Sequence, residues 1–525
     1  MNSARTIFVA LPLAISASLS AGGGGRAWAA DEPAPAAAAA ESPAPAPSPP
    51  ASPPTSDAQP AAEGEIPETK EPEPPPPSPV APPPTPAPPE PASATAGAAP
   101  PAATPIRPPV TAKFSAEIYG FVELDAILDT TQSFNEGAGN GVLLKRDAFG
   151  GHHKRLTFGV RNSRIGFKLK GPESESHDIK SSAILEMDFL GNQPSGSEAS
   201  FFNNPTFRIR HMAAKLETPA LNFLAGQYWQ LFGWQSSFHP NTVEIQGLPG
   251  QVYSRTAQFR VSHSFKTDAI TLDLAAAAAR SPQRDSALPD AHAGVRLLFN
   301  RWKGLRTAGA TGTSIDSAGI GISGVYRHFR VAEFASPSIN NVPKDGGGLS
   351  LDAILPIAPA TAEHKENALT LTGSFVTGTG IADLFTGLTG GIALPALPNP
   401  TMASPAPTYT SNIDPGLVIF TGAGTLHTID WQAVLVGLQY YLPPSGNVWI
   451  SANYSHLGSR NIDKYAIGSM AAKVYKSSDW ADANLFVDVN KAIRVGAELA
   501  WFHQRFVDDS TARNWRGQIS GFYIF

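Results

Sequence analysis

The 525-residue sequence contains no cysteine. That excludes a disulfide framework, a thiolate zinc site and a cysteine nucleophile, and it leaves no thiol to carry an N-terminal lipid. Long apolar runs are missing too. Nothing approaches the roughly 18 residues that a membrane helix needs, and the nearest run, Ala275 to Ala279, is far too short. Charge of one sign is also absent. The chain has 39 Lys and Arg against 44 Asp and Glu, a net −5, so it lacks the basic footprint that nucleic acid requires. No GxSxG, HExxH or Walker pattern is present. His152-His153 is an adjacent pair in a long loop, and such a pair in a strand would point opposite ways, so it is not read as a metal site. Gly346-Gly347-Gly348 and Gly378-Thr379-Gly380 read as turn chemistry rather than phosphate cradles. No enzymatic activity, metal or cofactor is expected.

Proline is abundant but confined. About 29 of the 50 prolines lie between Asp31 and Val110, a density that blocks both helix and sheet. Before that arm, Arg5, the apolar stretch Ile7 to Leu19 and the small residues flanking Trp28 form a secretory leader over residues 1–29. Residues 30–112 read as a disordered, extended Pro/Ala-rich periplasmic arm, kept solvated by Glu63, Glu65, Glu68, Glu71 and Glu73. It is either a plain spacer or a tether that touches the cell wall. An exported chain without a membrane helix is periplasmic, secreted, or a barrel in a bacterial outer membrane.

Residues 113–525 decide among these, because their periodicity is two. Ile118, Val122, Leu124 and Ala126 share one face of the first run, and Glu117, Glu123 and Asp125 share the other. Arg164 to Lys170, Ile179 to Phe189, Gln258 to Ser262 and Ile493 to Trp501 repeat the alternation. Breakers come in two lengths. Short ones include Thr218-Pro219-Ala220 and Lys266-Thr267-Asp268; long ones are Thr130 to Arg155, Gly191 to Pro205, Gly233 to Ser254 and Thr379 to His427. Short turns alternating with long loops are the signature of an antiparallel outer-membrane barrel, here of about 16 strands. Asn300 to Ser317 fits badly, being too long for a short turn. Eight tryptophans near strand ends (Trp229, Trp234, Trp302, Trp431, Trp449, Trp480, Trp501 and Trp515) are expected in interfacial girdles. Tyr523 and Phe525 resemble the terminal aromatic signal read by the barrel-assembly machinery.

A barrel of this size leaves a water-filled lumen, lined by the polar half of each alternation. Arg164, Lys168, Arg208, Arg210, Arg260, Arg494 and Arg516 fall on that half, with Glu123, Asp125, Glu186, Asp188 and Glu498 as the matching acids. The early arginines either favour anions or pair with the acids to stiffen the wall. Trp234, Phe238, His239, Glu244 and Gln246 belong to the third long loop, which would narrow the pore if folded inward. The segment Thr379 to His427 could cap the mouth or pack over a neighbouring subunit.

Tyr119-Gly120-Phe121-Val122-Glu123-Leu124-Asp125-Ala126 resembles the opening strand of the DcaP-like trimeric outer-membrane porins. So do Arg161 to Phe167, Glu186 to Phe189, Phe207 to His211, and Leu224 to Trp229 followed by Phe232-Gly233. The resemblance implies a homotrimer of 16-strand barrels in outer-membrane lipid, passing small hydrophilic, anionic solutes such as dicarboxylates. It implies pore-lining roles for Arg164, Arg208, Arg210 and Arg260. One departure stands out: the family often carries an N-terminal coiled coil, whereas Asp31 to Ala112 has no heptads. The alternative is a structural barrel whose arm ties the membrane to the wall.

Overall fold

The computed structural model describes residues 114–525 apart from short internal segments, chiefly 173–177, 192–205, 236–237, 239–241, 244–248, 282–285, 308–311, 334–338 and 386–412. The expected leader and arm lie outside the described residues, as do His239, Glu244 and Gln246.

The first strand, β1 (Ser115–Asp129), alternates as its sequence requires. Val122, Leu124 and Leu128 face outward, while Phe121, Glu123, Asp125 and Asp129 are buried. The chain returns as β2 (Arg155–Gly159) and β3 (Arg164–Lys170). Both pair antiparallel with β1, so they form one stave interrupted at residues 160–163. There follow β4 (Lys180–Asp188), β5 (Arg208–Glu217), β6 (Asn222–Trp229), β7 (Arg255–Lys266), β8 (Ile270–Ala279), β9 (Asp290–Thr307), β10 (Thr313–Ala332), β11 (Asn341–Ala358) and β12 (Leu369–Thr379). A small hairpin, β13 (Val418–Phe420) and β14 (Leu426–Thr428), sits in the loop that follows. Then β15 (Asp430–Tyr441), β16 (Val448–Ser459), β17 (Tyr475–Asp488), β18 (Ile493–Phe506) and β19 (Thr511–Ile524) complete the wall. β19 pairs back onto β1, with Phe121 opposite Ile524 and Asp129 opposite Arg516. The sheet has 17 strands; with β2 and β3 as one stave it is a closed barrel of 16, so no edge is left unpaired.

Three expectations are corrected. Asn300 to Ser317 is not a turn. β9 and β10 carry their ladder through it, from Lys303 opposite Ser317 to Thr307 opposite Thr313, with a bulge at Ser317 and Ala318. Gly346-Gly347-Gly348 and Gly378 are strand residues of β11 and β12. Their smallness admits two inserted loops: a Cβ on Gly348 would sit 3.2 Å from Phe232, which follows β6, and 3.3 Å from Ile381, which follows β12. Gly380 has φ +66 and stands against Phe329. A Gly348→Leu variant should therefore displace these two loops and lower the temperature at which the folded gel band is lost, by an amount set by overpacking of about 1–3 kcal/mol.

The third correction concerns tryptophan. Trp431, Trp449 and Trp480 are completely buried on the inner wall, and Trp229 and Trp234 also point inward. Trp302 and Trp515 are the exposed ones. Trp449 packs with Tyr441 and Phe486, Trp234 with Ala277 and Ile354, and Trp229 on Tyr253. Trp431 and Trp480 are instead covered by the loop after β12, which folds into the extracellular mouth. Ile381, Leu384, Phe385, Leu417, Val418, Ile419 and Phe420 are buried against Trp431, Leu435, Leu457, Trp480 and Phe502. An apolar loop inside a barrel needs an apolar inner wall to meet it. The described ends of that loop, Ile381 to Phe385 and Leu417 to Phe420, thus cap their own barrel.

Candidate functional site

The lumen is divided. The loop after β6 starts on the inner wall at Leu231, Trp234 and Phe238, which pack on Ala277 and Ile354. The Gly233 N–H donates to Ser323 Oγ (2.7 Å), and Trp234 Nε1 donates to the Ile322 carbonyl (3.2 Å). The loop then crosses. The Val243 N–H donates to Asn484 Oδ1 (2.8 Å) and to Glu498 Oε2 (3.0 Å) on the far wall. It returns past the Pro249 carbonyl, which accepts from Ser455 Oγ, and the Tyr253 N–H donates to the Leu384 carbonyl (2.9 Å). Trp234 and Phe238 thus lie in a loop folded inside the barrel. Glu498 anchors that loop.

On the near wall β3, β4, β5 and β7 bring charges together. Glu186 Oε1 accepts from Arg210 Nε at 2.7 Å and has Arg164 at 3.7 Å. Its other oxygen accepts from the Tyr119 hydroxyl at 2.9 Å. Asp188 takes a two-pronged contact from Arg208 (2.9 and 2.6 Å) and another from Arg210 (3.1 Å). A β-bulge opposite Glu186 and Met187 lets Arg208, Arg210 and His211 crowd the inner side of β5. Arg210 also donates to the Tyr253 hydroxyl at 3.3 Å.

The sequence reading missed Arg255. Its guanidinium lies over the rings of Trp229 (5.0 Å) and Tyr253 (5.5 Å), and its buried Nη1 has no hydrogen-bond partner among the described residues. Trp-Arg and Tyr-Arg stacking stabilises a cation without consuming a carboxylate. Four guanidiniums (Arg164, Arg208, Arg210 and Arg255) thus face two carboxylates, Glu186 and Asp188.

Towards the periplasmic end lies a polar recess of about 230 Å³ lined by Lys215, Tyr228, Trp234, Arg260, Asp273 and Arg296. Arg260 donates to Gln258 Oε1 and to the Trp229 carbonyl. Arg296, also missed, pairs with Asp273 at 2.6 Å and lies 4.9 Å from the Trp234 ring. Cross-strand register puts Asp273 opposite Arg296, a relation that neither run shows when read singly.

The other expected wall residues sit elsewhere. Lys168 is exposed and paired with Glu117 (2.9 Å). Arg494 pairs with Asp488 at 2.6 Å and lies over Trp449. Arg516 is completely buried, pairs with Asp129 at 2.9 Å, and donates to the Asn135 and Glu136 carbonyls, so it ties the first long loop to the wall. In that loop Glu136 meets Arg161 at 2.9 Å, while burial pushes its carboxyl up. Asp125 accepts from Asn162, Gln518 and Ser520. Glu123 is fully buried beside Ser163. Tyr523 and Phe525 face outward, and the Phe525 backbone exchanges hydrogen bonds with Gly120 (2.9 and 3.0 Å). His152 ends a four-residue helix, and His153 stacks on Phe149. Among the described residues no cluster of His, Asp and Glu could hold a metal ion.

A closed barrel with an apolar outer band and charged inner wall is a bacterial outer-membrane protein, since only such a barrel satisfies its backbone in lipid without a helix. Its fold is that of the porins. A solved structure of similar fold is the outer membrane channel DcaP of Acinetobacter baumannii, with a TM-score of 0.56 and 16% identity over 78% of this chain and 97% of that one. Others are OprB of Pseudomonas putida (TM-score 0.43, 10% identity, 78% and 94% covered) and OmpF of Salmonella typhi (TM-score 0.44, 9% identity, 78% and 97% covered). No family model matches the sequence, and no curated protein matches it closely. At these identities the likeness concerns the fold.

Proposed function

We propose that this chain is a diffusion porin for small hydrophilic anions, with dicarboxylates as the solute class. The carrying observation is the near wall, where four guanidiniums face only two carboxylates. Arg208 and Arg210 hydrogen-bond Asp188 and Glu186, Arg164 stands 3.7 Å from Glu186 over the Phe121 ring, and Arg255 lies on Trp229, so the cluster carries a surplus of two positive charges. The loop through Trp234, Phe238 and Val243 crosses the lumen and steers solute along that wall. Lys215, Arg260 and Arg296 continue the positive path towards the periplasm. A charged ring in a narrow aqueous channel sets which ion passes.

The barrel is read as one protomer of a homotrimer in outer-membrane lipid. The support is its uneven wall: β4 to β6 have 9, 10 and 8 residues, against 18, 20 and 18 in β9 to β11. Exposed Tyr523 and Phe525 on the closing strand are the residues offered to the assembly machinery. Purified protein in a planar bilayer under a KCl gradient should show current steps in groups of three and a reversal potential on the chloride side. Cation preference would remove the arginine argument; absence of current from folded, inserted protein would remove the porin.

A further inference from the structure

The β9–β10 hairpin does not stop at the barrel rim. Its lower part turns under the barrel and binds inner-wall side chains of strands that are not its neighbours. Gln439 on β15 holds Thr307 by both backbone groups: its Oε1 accepts from the Thr307 N–H (3.2 Å) and its Nε2 donates to the Thr307 carbonyl (3.0 Å). The Thr307 hydroxyl meets the Tyr441 hydroxyl at 2.6 Å. On β12, Thr370 Oγ1 donates to the Leu305 carbonyl at 2.7 Å. Gly304 lies so close to Pro356 that a Cβ there would stand 2.3 Å from it. Leu305 and Thr307 are buried, and Leu305 joins a core with Tyr441, Trp449 and Phe486. A side-chain amide that satisfies both groups of one residue mimics a strand neighbour, so the segment is held as firmly as a sheet edge.

The same aromatic core includes Val243 from the crossing loop on the other side. Trp449 stacks on Phe486 at 4.0 Å and on Tyr441 at 5.6 Å. This half of the lumen is therefore packed from both mouths.

We infer that residues Gly304 to Thr307 and their partners Thr313 to Asp316 form a second, periplasmic constriction, latched by Thr370, Gln439 and Tyr441, which confines solute to the side carrying Lys215, Arg260 and Arg296. The inference rests on the porin reading and adds a specificity-determining element outside the arginine cluster. The hairpin presents its own charges to the exit: Arg301 and Lys303 are exposed, and Arg306 pairs with Asp316.

The test compares single-channel conductance of three full-length proteins. One is unaltered. In the second, residues 304–316 are replaced by Asn-Gly, so that Lys303 and Ser317, already opposite each other, are joined by a two-residue turn suited to a hairpin. The third carries Thr370→Ala and Gln439→Ala and keeps the hairpin, which guards against misfolding of the trimmed protein. The trimmed protein should conduct about twofold more, because current follows open cross-section, with its anion preference kept. The latch variant should show raised conductance and noisier open levels. Larger neutral solutes should also enter liposomes faster through both. Unchanged conductance and uptake in the folded variants would overturn the second constriction and leave the porin intact. Current from the trimmed protein alone would keep the hairpin as a plug and overturn the open-porin reading; silence from all three would overturn both.

Discussion

Replacing Arg164 and Arg255 together with serine should abolish anion preference and leave the barrel folded. These are the two guanidiniums that make no hydrogen bond to Glu186 or Asp188 among the described residues, Arg164 standing 3.7 Å from Glu186, while Arg208 and Arg210 hydrogen-bond those carboxylates. Arg164 rests 5.1 Å from the Phe121 ring, and its Nε has no hydrogen-bond partner among the described residues; Arg255 lies on Trp229 and Tyr253. A unit charge about 5 Å from a passing ion is worth roughly 0.8 kcal/mol in water. Losing two should lower the anion-to-cation permeability ratio by about tenfold, read as a reversal potential moving to zero or beyond. The folded gel band should survive heating as in the unaltered protein. Arg210→Ala is the contrasting variant. It strips the guanidinium shared by Glu186 and Asp188, so it should reduce thermal stability as well as selectivity. A selectivity unchanged in the double serine variant would show that the near wall does not set the field.

The second large effect should come from Arg327→Leu. Arg327 on β10 is completely buried and joins three elements. Its guanidinium donates to Asp290 (2.9 Å) at the start of β9, to both oxygens of Asp383 (2.5 and 2.7 Å) and to the Gly380 carbonyl (2.8 Å). Asp383 and Gly380 begin the loop that fills the extracellular mouth. Removing one partner from a buried ion pair leaves the others uncompensated and costs about 3–5 kcal/mol. Two carboxylates are stranded here, so the loop should leave its seat. The expected results are a lower unfolding temperature, rapid cleavage between β12 and β15 by added protease, and larger, noisier currents. Protease resistance equal to that of the unaltered protein would show that the apolar contacts of Ile381 to Phe385 hold the loop alone.

Strand faces were legible wherever one face was polar. Val122 and Leu124 against Glu123 and Asp125 announce a lipid side and an inner side, and the structure places them so. The alternation is silent where both faces are apolar. Along β15, Val434 and Val436 face lipid while Trp431, Ala433 and Leu435 face an inserted loop, and period two cannot tell these surroundings apart. That is why the alternation alone places these tryptophans in girdles. The charge cluster was half visible. Arg164, Arg208 and Arg210 stand on recognisable runs, whereas Arg255 opens β7 straight after a long loop and is defined by its rings. The Asp273–Arg296 pair needs the register of β8 on β9. The hairpin latch was visible only as a misfit, because a turn too long for its place has no sequence mark for folding inward.

The unequal staves have a consequence for the bilayer itself. Eight residues of β6 extend about 26 Å, which at a tilt near 40° covers roughly 20 Å of height, less than the ~25 Å apolar band of an outer membrane. The 20 residues of β10 extend about 66 Å, which at the same tilt covers roughly 50 Å of height, about twice that band. A solitary barrel would therefore pinch the lipid on one flank and not on the other, and that elastic cost falls away once the low flanks of neighbouring copies meet. Membrane thickness then becomes a variable that acts on assembly: thicker bilayers should favour association, and thin ones should release single barrels.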